Sequence, residues 1–127
     1  MTSRLFEPLT LPSGAVLPNR VALAPLTNQQ SHDDGTLGHD EERWLLRRAR
    51  GGFGLVSTCA AHVSREGQGF DRQLGIWSDA HLPRLSELGA ALSASGTVGV
   101  VQLHHGGVRA PSRLTGEQPW SASAFTE

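Results

Sequence analysis

The stretch Gly54-Leu55-Val56-Ser57-Thr58-Cys59-Ala60 decides the fold class of this 127-residue chain. Its run of apolar and β-branched residues is typical of a strand buried on both faces, as in a parallel sheet. Residues 21–24 and residues 98–103 form two more stretches of the same kind, one before it and one after it. Because a helical pattern lies in each interval, the order β-α-β-α-β predicts an α/β fold with a parallel sheet and right-handed crossovers.

The two intervals between these strands each predict an amphipathic helix. Residues 40–50 place acidic side chains in the first turn and arginines in the last, which favours the helix dipole. We interpret the acidic side chains as solvated partners of that dipole, and Gly51-Gly52 as the stop. The second helix begins near His81, with Ser78 or Asp79 as its N-cap, and leucines recur along it at helical spacing.

The chain is predicted to form a single domain over residues 1–127, in two parts. Residues 1–20 form an N-terminal segment with a β-hairpin, since two short apolar stretches flank Pro12-Ser13-Gly14. Residues 21–127 hold the three strands, the two helices and their loops. From His104 onward we expect loop structure.

Composition excludes several classes of protein. The net charge of −1 gives no basic field that would attract nucleic acid or anionic membranes. The sequence has no run of eighteen apolar residues, so we expect no membrane span. All eleven basic residues are arginine, which excludes a Schiff-base lysine. The N-terminus lacks the apolar region of a secretory signal. We interpret the single cysteine, Cys59, as an inert packing residue in a reducing, cytoplasmic setting.

Five stretches of the sequence narrow the choice of protein class further, because together they resemble the Old Yellow Enzyme family of flavin-dependent NAD(P)H oxidoreductases. They are Leu5-Phe6-Glu7-Pro8-Leu9, Asn19-Arg20-Val21, Ala24-Pro25-Leu26-Thr27, Gln73-Leu74-Gly75-Ile76-Trp77-Ser78-Asp79 and Gln102-Leu103-His104-His105-Gly106-Gly107. The resemblance implies a (β/α)₈ barrel capped by the hairpin, of which this chain would be the N-terminal portion. Since such a barrel needs about 250 residues, we expect a fragment, a truncated gene model or a degenerate copy.

The resemblance also implies a binding site for FMN at the carboxyl ends of the strands. Pro25 and Leu26 would offer backbone and apolar contact to the flavin ring, and the Thr27 hydroxyl would tune its redox potential. The small side chain of Ala60 would leave room for the isoalloxazine, and the Gln102 amide would match the donor and acceptor on its pyrimidine edge. The expected FMN contacts are Ala24, Pro25, Leu26, Thr27, Ala60 and Gln102.

The activity implied by the resemblance is hydride transfer from NAD(P)H, through flavin N5, to a small molecule with an activated alkene such as an enone. In the family, a His pair and a Tyr act on the substrate, and the corresponding segments would lie beyond residue 127. We therefore expect no catalytic residue in this chain apart from Thr27, which would tune the redox potential of the flavin. We also expect no turnover by the chain alone. His105 is the candidate for the substrate cleft.

Plainer interpretations of the same residues stay open. An Ala-Pro pair is often only a strand terminator, and Ala60 could be only a core residue. A metal-dependent barrel hydrolase would use His104 or His105, but adjacent residues of an extended chain point to opposite faces, so we predict no metal site. A non-catalytic half-barrel is the remaining alternative, self-associating through sheet edges that lack a partner strand.

Overall fold

The computed structural model describes residues 3–124 and contains the two predicted sheets. Strands β1 (Leu9–Thr10) and β2 (Val16–Leu17) pair antiparallel as the hairpin. Strands β3 (Ala22–Leu23), β4 (Leu55–His62) and β5 (Val98–His104) form a parallel sheet in which β4 lies in the middle. The α/β class and the parallel sheet are thus as the sequence predicts.

Helix α1 spans His39–Arg50 and helix α2 spans Leu82–Ala94, close to the predicted bounds. Ser78 is the N-cap of a short 3₁₀ turn, Asp79–His81, which leads directly into α2. The interpretation of the acidic first turn of α1 was wrong for one residue. Glu41 is fully buried and accepts a hydrogen bond of 2.7 Å from the Ser31 hydroxyl, because the loop before α1 folds over that side of the helix.

The helices cover one face of the sheet, and the hydrophobic core lies between them. Leu45 and Ala49 of α1 and Leu88 and Leu92 of α2 are buried there in one cluster with Val56 of β4. Cys59 and Ala61 of β4 also belong to this core. None of the helices within residues 3–124 has the length and apolar character of a membrane-spanning segment.

Strand β3 is shorter than predicted, since it comprises only Ala22 and Leu23 instead of residues 21–24. Pro25 has no N–H to offer a neighbouring strand, and the β3–β4 pairing ends at Leu23 opposite Val56. Beyond that point residues 73–76 take the place beside β4, with Gly75 bridged to His62. Two backbone hydrogen bonds hold them there, from His62 N–H to the Leu74 carbonyl and from Ile76 N–H to the His62 carbonyl.

Strands β4 and β5 run to His62 and His104, past the predicted ends. The expectation of pure loop after His104 was wrong as well. Within the described residues, a 3₁₀ turn at Gly107–Arg109 and a one-turn helix, α3 (Ser112–Thr115), follow β5. Arg113 joins this segment to the loop before α2 through a bidentate ion pair with Asp71, in which both hydrogen bonds are 2.9 Å long.

Candidate functional site

The residues expected to contact a flavin lie toward the carboxyl-terminal ends of the three strands of the parallel sheet. Residues 24–27 come after the end of β3, and Ala60 of β4 pairs in register with Gln102 of β5. A bulge precedes this pair, because β4 advances from Ser57 to Ala60 while β5 advances only from Val100 to Gln102. The bulge fixes which β4 side chains face the helices near the strand end.

Ala60 and Gln102 lie on the face of the sheet opposite the helices. Cys59 and Ala61 both pack into the helix-covered core, so Ala60 between them points to the other face. Side chains of paired residues in a parallel sheet share a face, which places Gln102 beside Ala60. The structure therefore brings these two predicted residues together on one surface.

The polar groups of this surface are free to bind a ligand. Gln102 and Thr27 are exposed, and the side chain of neither makes a hydrogen bond to another residue within 3–124. Leu26 is 51% exposed, whereas Ala60 is 9% exposed and adds no bulk. The ends of these strands thus carry an apolar side chain, a methyl group, a hydroxyl and an amide, and a few polar groups in a mostly apolar setting are typical of a small-molecule site.

Residues immediately after Thr27 add buried polar atoms that lack partners. The side-chain nitrogen of Asn28 and the side-chain oxygen of Gln30 are buried with no hydrogen bond among the described residues. Gln29 between them has a φ of 52°, a left-handed conformation that is uncommon for residues other than glycine. Sequence reasoning missed these amides, because only three-dimensional burial distinguishes them from ordinary loop residues.

Gln73 is a further residue that sequence reasoning missed as a side chain, although it lies within one of the stretches that carry the family resemblance. It is fully buried. Its Nε2 lies 2.8 Å from the Ala60 carbonyl oxygen and 3.1 Å from His104 Nδ1, and its Oε1 accepts a 2.7 Å hydrogen bond from Gly69 N–H. One side chain therefore joins the loop before α2 to the ends of β4 and β5.

The two histidines after Gln102 face different surroundings. His104 lies two residues beyond Gln102 on β5, so it shares the face of Gln102. The ring of His105 packs edge-on against Trp120, at 5.2 Å between centroids, and its Nδ1 accepts a hydrogen bond from Gly107 N–H. Whether His105 lines a substrate cleft stays a prediction. The part of the chain that the structure describes holds no cluster of three or more His, Cys, Asp or Glu side chains that could bind a metal.

Two buried titratable groups of β4 have shifted pKa values. Burial lowers the pKa of His62, whose Nδ1 hydrogen-bonds to the Ser64 carbonyl while Nε2 is buried without a partner within residues 3–124. Burial, followed by the nearby Glu41 carboxylate, raises the pKa of Cys59 to about 12. The Cys59 thiol is thus protonated at neutral pH, as an inert packing residue would be.

Comparison with known proteins gives sequence relatives for nearly the whole chain. It is 40% identical over 114 residues to the probable NADH-dependent flavin oxidoreductase YqiG of Bacillus subtilis, an alignment that covers 90% of this chain and 30% of that protein. The chain thus spans about a third of the length of this relative. The same N-terminal third is what the resemblance in the sequence implies.

Solved structures agree with the sequence relatives. The old yellow enzyme homologue from Zymomonas mobilis superimposes with a TM-score of 0.87 at 30% identity, over 97% of this chain and 34% of that one. Morphinone reductase in complex with tetrahydroNAD gives a TM-score of 0.85 at 32% identity, over 98% of this chain and 34% of that one. A sequence model of one family matches residues 4–127. The chain therefore belongs to the NADH:flavin oxidoreductase / NADH oxidase family.

Proposed function

We propose that this chain supplies one side of the FMN site of an NAD(P)H-dependent oxidoreductase whose complete form is a (β/α)₈ barrel. One observation carries the proposal. The Ala60–Gln102 pair presents a methyl group and an amide without a partner within residues 3–124, side by side on the face opposite the helices, and residues 24–27 come after the neighbouring strand. In barrels of this type, binding sites are built at the carboxyl ends of the strands.

The residues at these strand ends fit FMN in chemical type. The Gln102 amide would donate to and accept from the pyrimidine edge of the ring, and the Thr27 hydroxyl would donate to a ring oxygen. Pro25 and Leu26 would give the ring apolar contact, next to the backbone of Ala24. FMN, when bound, supplies the hydride chemistry, and the role of this chain is to orient the ring and to stabilise its added charge.

The reductant and the substrate are inferred from the family rather than from any residue of this chain. We propose a nicotinamide nucleotide as the hydride source, and a small molecule with an activated alkene as the acceptor. The tetrahydroNAD bound to morphinone reductase supports the first of these for a relative. A reducing cytoplasm suits the buried free thiol of Cys59.

Titration of FMN with the purified chain, followed by flavin fluorescence and by the visible absorption spectrum, tests the proposal. We expect saturable binding that Gln102→Leu weakens about tenfold, because it removes hydrogen bonds worth roughly 1 kcal/mol each. Gln118→Leu is the matched control, since Gln118 is an exposed glutamine outside the candidate site. Absence of binding, or equal loss in both variants, would contradict the proposal.

We also propose that the isolated chain self-associates through β5. This strand has no partner on its outer edge within the described residues, and Leu103 is 65% exposed there, with Val100 and Val101 also exposed. An exposed apolar edge strand is a template for pairing with a second copy. Sedimentation velocity should show a concentration-dependent dimer that Val101→Lys disrupts, whereas a monomer at every concentration would contradict this.

A further inference from the structure

The Gln73 side chain hydrogen-bonds to β4 between the two segments that pair with β4 on that side in the described residues. Strand β3 stops pairing with β4 at Leu23, and the bridge from Gly75 begins only at His62. The Ala60 carbonyl lies between these points, and the Gln73 amide donates to it at 2.8 Å. A side chain that is itself fully buried thus satisfies a strand carbonyl at the candidate flavin site.

The three contacts of Gln73 fix which way its amide points. A carbonyl such as that of Ala60 can only accept, and the N–H of Gly69 can only donate, so the nitrogen must face Ala60 and the oxygen must face Gly69. The same nitrogen lies 3.1 Å from His104 Nδ1. Since an amide nitrogen only donates, His104 Nδ1 must be the acceptor, and the ring proton must be on Nε2.

From this geometry we infer that Gln73 is a positioning residue of the flavin site, holding the Ala60 carbonyl and locking His104 in the Nε2–H tautomer. The inference rests on the proposed function. It adds that the end of β5 presents a fixed N–H donor, two residues beyond Gln102 on the same face. Such a donor suits an oxygen atom of the cofactor or of a bound carbonyl compound.

Gly69 leaves room for the His104 ring by its lack of a side chain. A Cβ at this position would lie 3.0 Å from His104 Cε1 and 3.7 Å from Gln73 Oε1. The distance to Gln73 is an ordinary contact, but a side chain at residue 69 would crowd the His104 ring, so glycine leaves room for this ring.

The tautomer of His104 can be measured in the ¹⁵N-labelled chain at about pH 8, above the ordinary histidine pKa. Long-range ¹H–¹⁵N spectra distinguish the Nε2–H form from the Nδ1–H form without any ligand. We expect the Nε2–H form in the wild-type chain. An Nδ1–H form would overturn the inference. This measurement uses the wild-type chain alone, so it does not depend on whether a variant folds.

Gln73→Glu is the sharpest variant, because glutamate has the same shape but only accepts hydrogen bonds. It can still accept from Gly69, and His104 should switch to the Nδ1–H form in order to donate to it. His105 is the internal control, since its Nδ1 accepts from Gly107 N–H and it should keep the Nε2–H form in both proteins. Gln73→Met, which has no amide, should leave His104 exchanging between the two forms. An unchanged His104 in a folded variant would overturn the inference.

Titration with FMN separates this inference from the proposed function. We expect Gln73→Glu to weaken FMN binding about tenfold, and an unchanged affinity with a switched tautomer would overturn the positioning role. If the wild-type chain has His104 in the Nε2–H form and binds no FMN, the proposed function fails and the positioning role with it. The hydrogen bond from Gln73 to His104 would then stand as a structural finding alone.

Discussion

Strands β4 and β5 are neighbours of similar composition, yet they differ completely in burial. Every residue of β4 after Leu55 is buried, whereas in β5 the residues between the two terminal positions are all exposed. Strand β4 has a strand or segment on each side and helices above it, while β5 has a partner on one side only within residues 3–124. Burial is therefore a property of the neighbours of a strand, and residue type alone does not determine it.

We expect the difference in burial between β4 and β5 to have its largest effect on the free energy of unfolding. Substitution of one leucine from each environment tests this. Leu45 is fully buried against β4, and Leu103 of β5 is 65% exposed. We expect Leu45→Ala to lower the free energy of unfolding by about 3 kcal/mol, because it removes buried contacts and leaves a cavity. Leu103→Ala should change it by less than about 0.5 kcal/mol. Urea unfolding curves measure both at protein concentrations where the chain is monomeric, and equal losses would show that β5 is covered within the monomer.

A pair of glycines tests the close packing at the end of β4. A Cβ on Gly75 would lie 2.9 Å from His81 Cε1 and 3.2 Å from His62 Nε2, whereas a Cβ on Gly89 of α2 would have none of the described residues within 4 Å. Gly75→Ala should cost about 1–3 kcal/mol through overpacking. Gly89→Ala should stabilise the chain by about 0.5–1 kcal/mol, since alanine favours a helix more than glycine does. Thermal unfolding of the two variants should shift in opposite directions, and a shared direction would refute this packing.

A smaller effect is expected from pH. Burial lowers the pKa of His62 below its ordinary value of 6.5, so the unfolded chain takes up a proton at higher pH than the folded chain. The contribution of His62 to stability is therefore complete above about pH 6.5 and is lost as the pH falls toward the folded pKa.

Unfolding measured between about pH 7.5 and about pH 5.5 should thus show a loss of stability that His62→Gln reduces. His32→Gln is the matched control, because His32 is exposed. An equal pH dependence in the wild-type chain and in His62→Gln would show that the burial of this ring is not what links folding to protons.

The order of elements and their type could be predicted from the sequence, because buried strands and amphipathic helices have strong local patterns. The helix of residues 39–50 and strand β4 are examples. The length of β3 could not be predicted, since it depends on how far this strand pairs with β4, whose residues lie far away in sequence. The burial of Glu41 also depends on a loop folding back over α1.

The residues of the candidate site likewise include some that could be predicted from the sequence and others that could not. Residues 24–27, Ala60 and Gln102 could be predicted, because they lie at strand ends in stretches that resemble a known family. Gln73 could not be identified as a side chain, because its three hydrogen-bond partners lie 4, 13 and 31 residues away in sequence. A buried polar side chain that joins a loop to two strands has no local pattern to reveal it.

Amide chemical shifts of the ¹⁵N-labelled chain, mapped as FMN is added, would locate the flavin site residue by residue. We expect the shifts to concentrate at residues 24–27, at Ala60 and at Gln102, with a smaller set around Gln73 and His104. The α1 surface around Arg47 and Arg50 should stay unchanged. Shifts confined to that arginine surface, or no saturable shifts at all, would contradict the assignment of the flavin site.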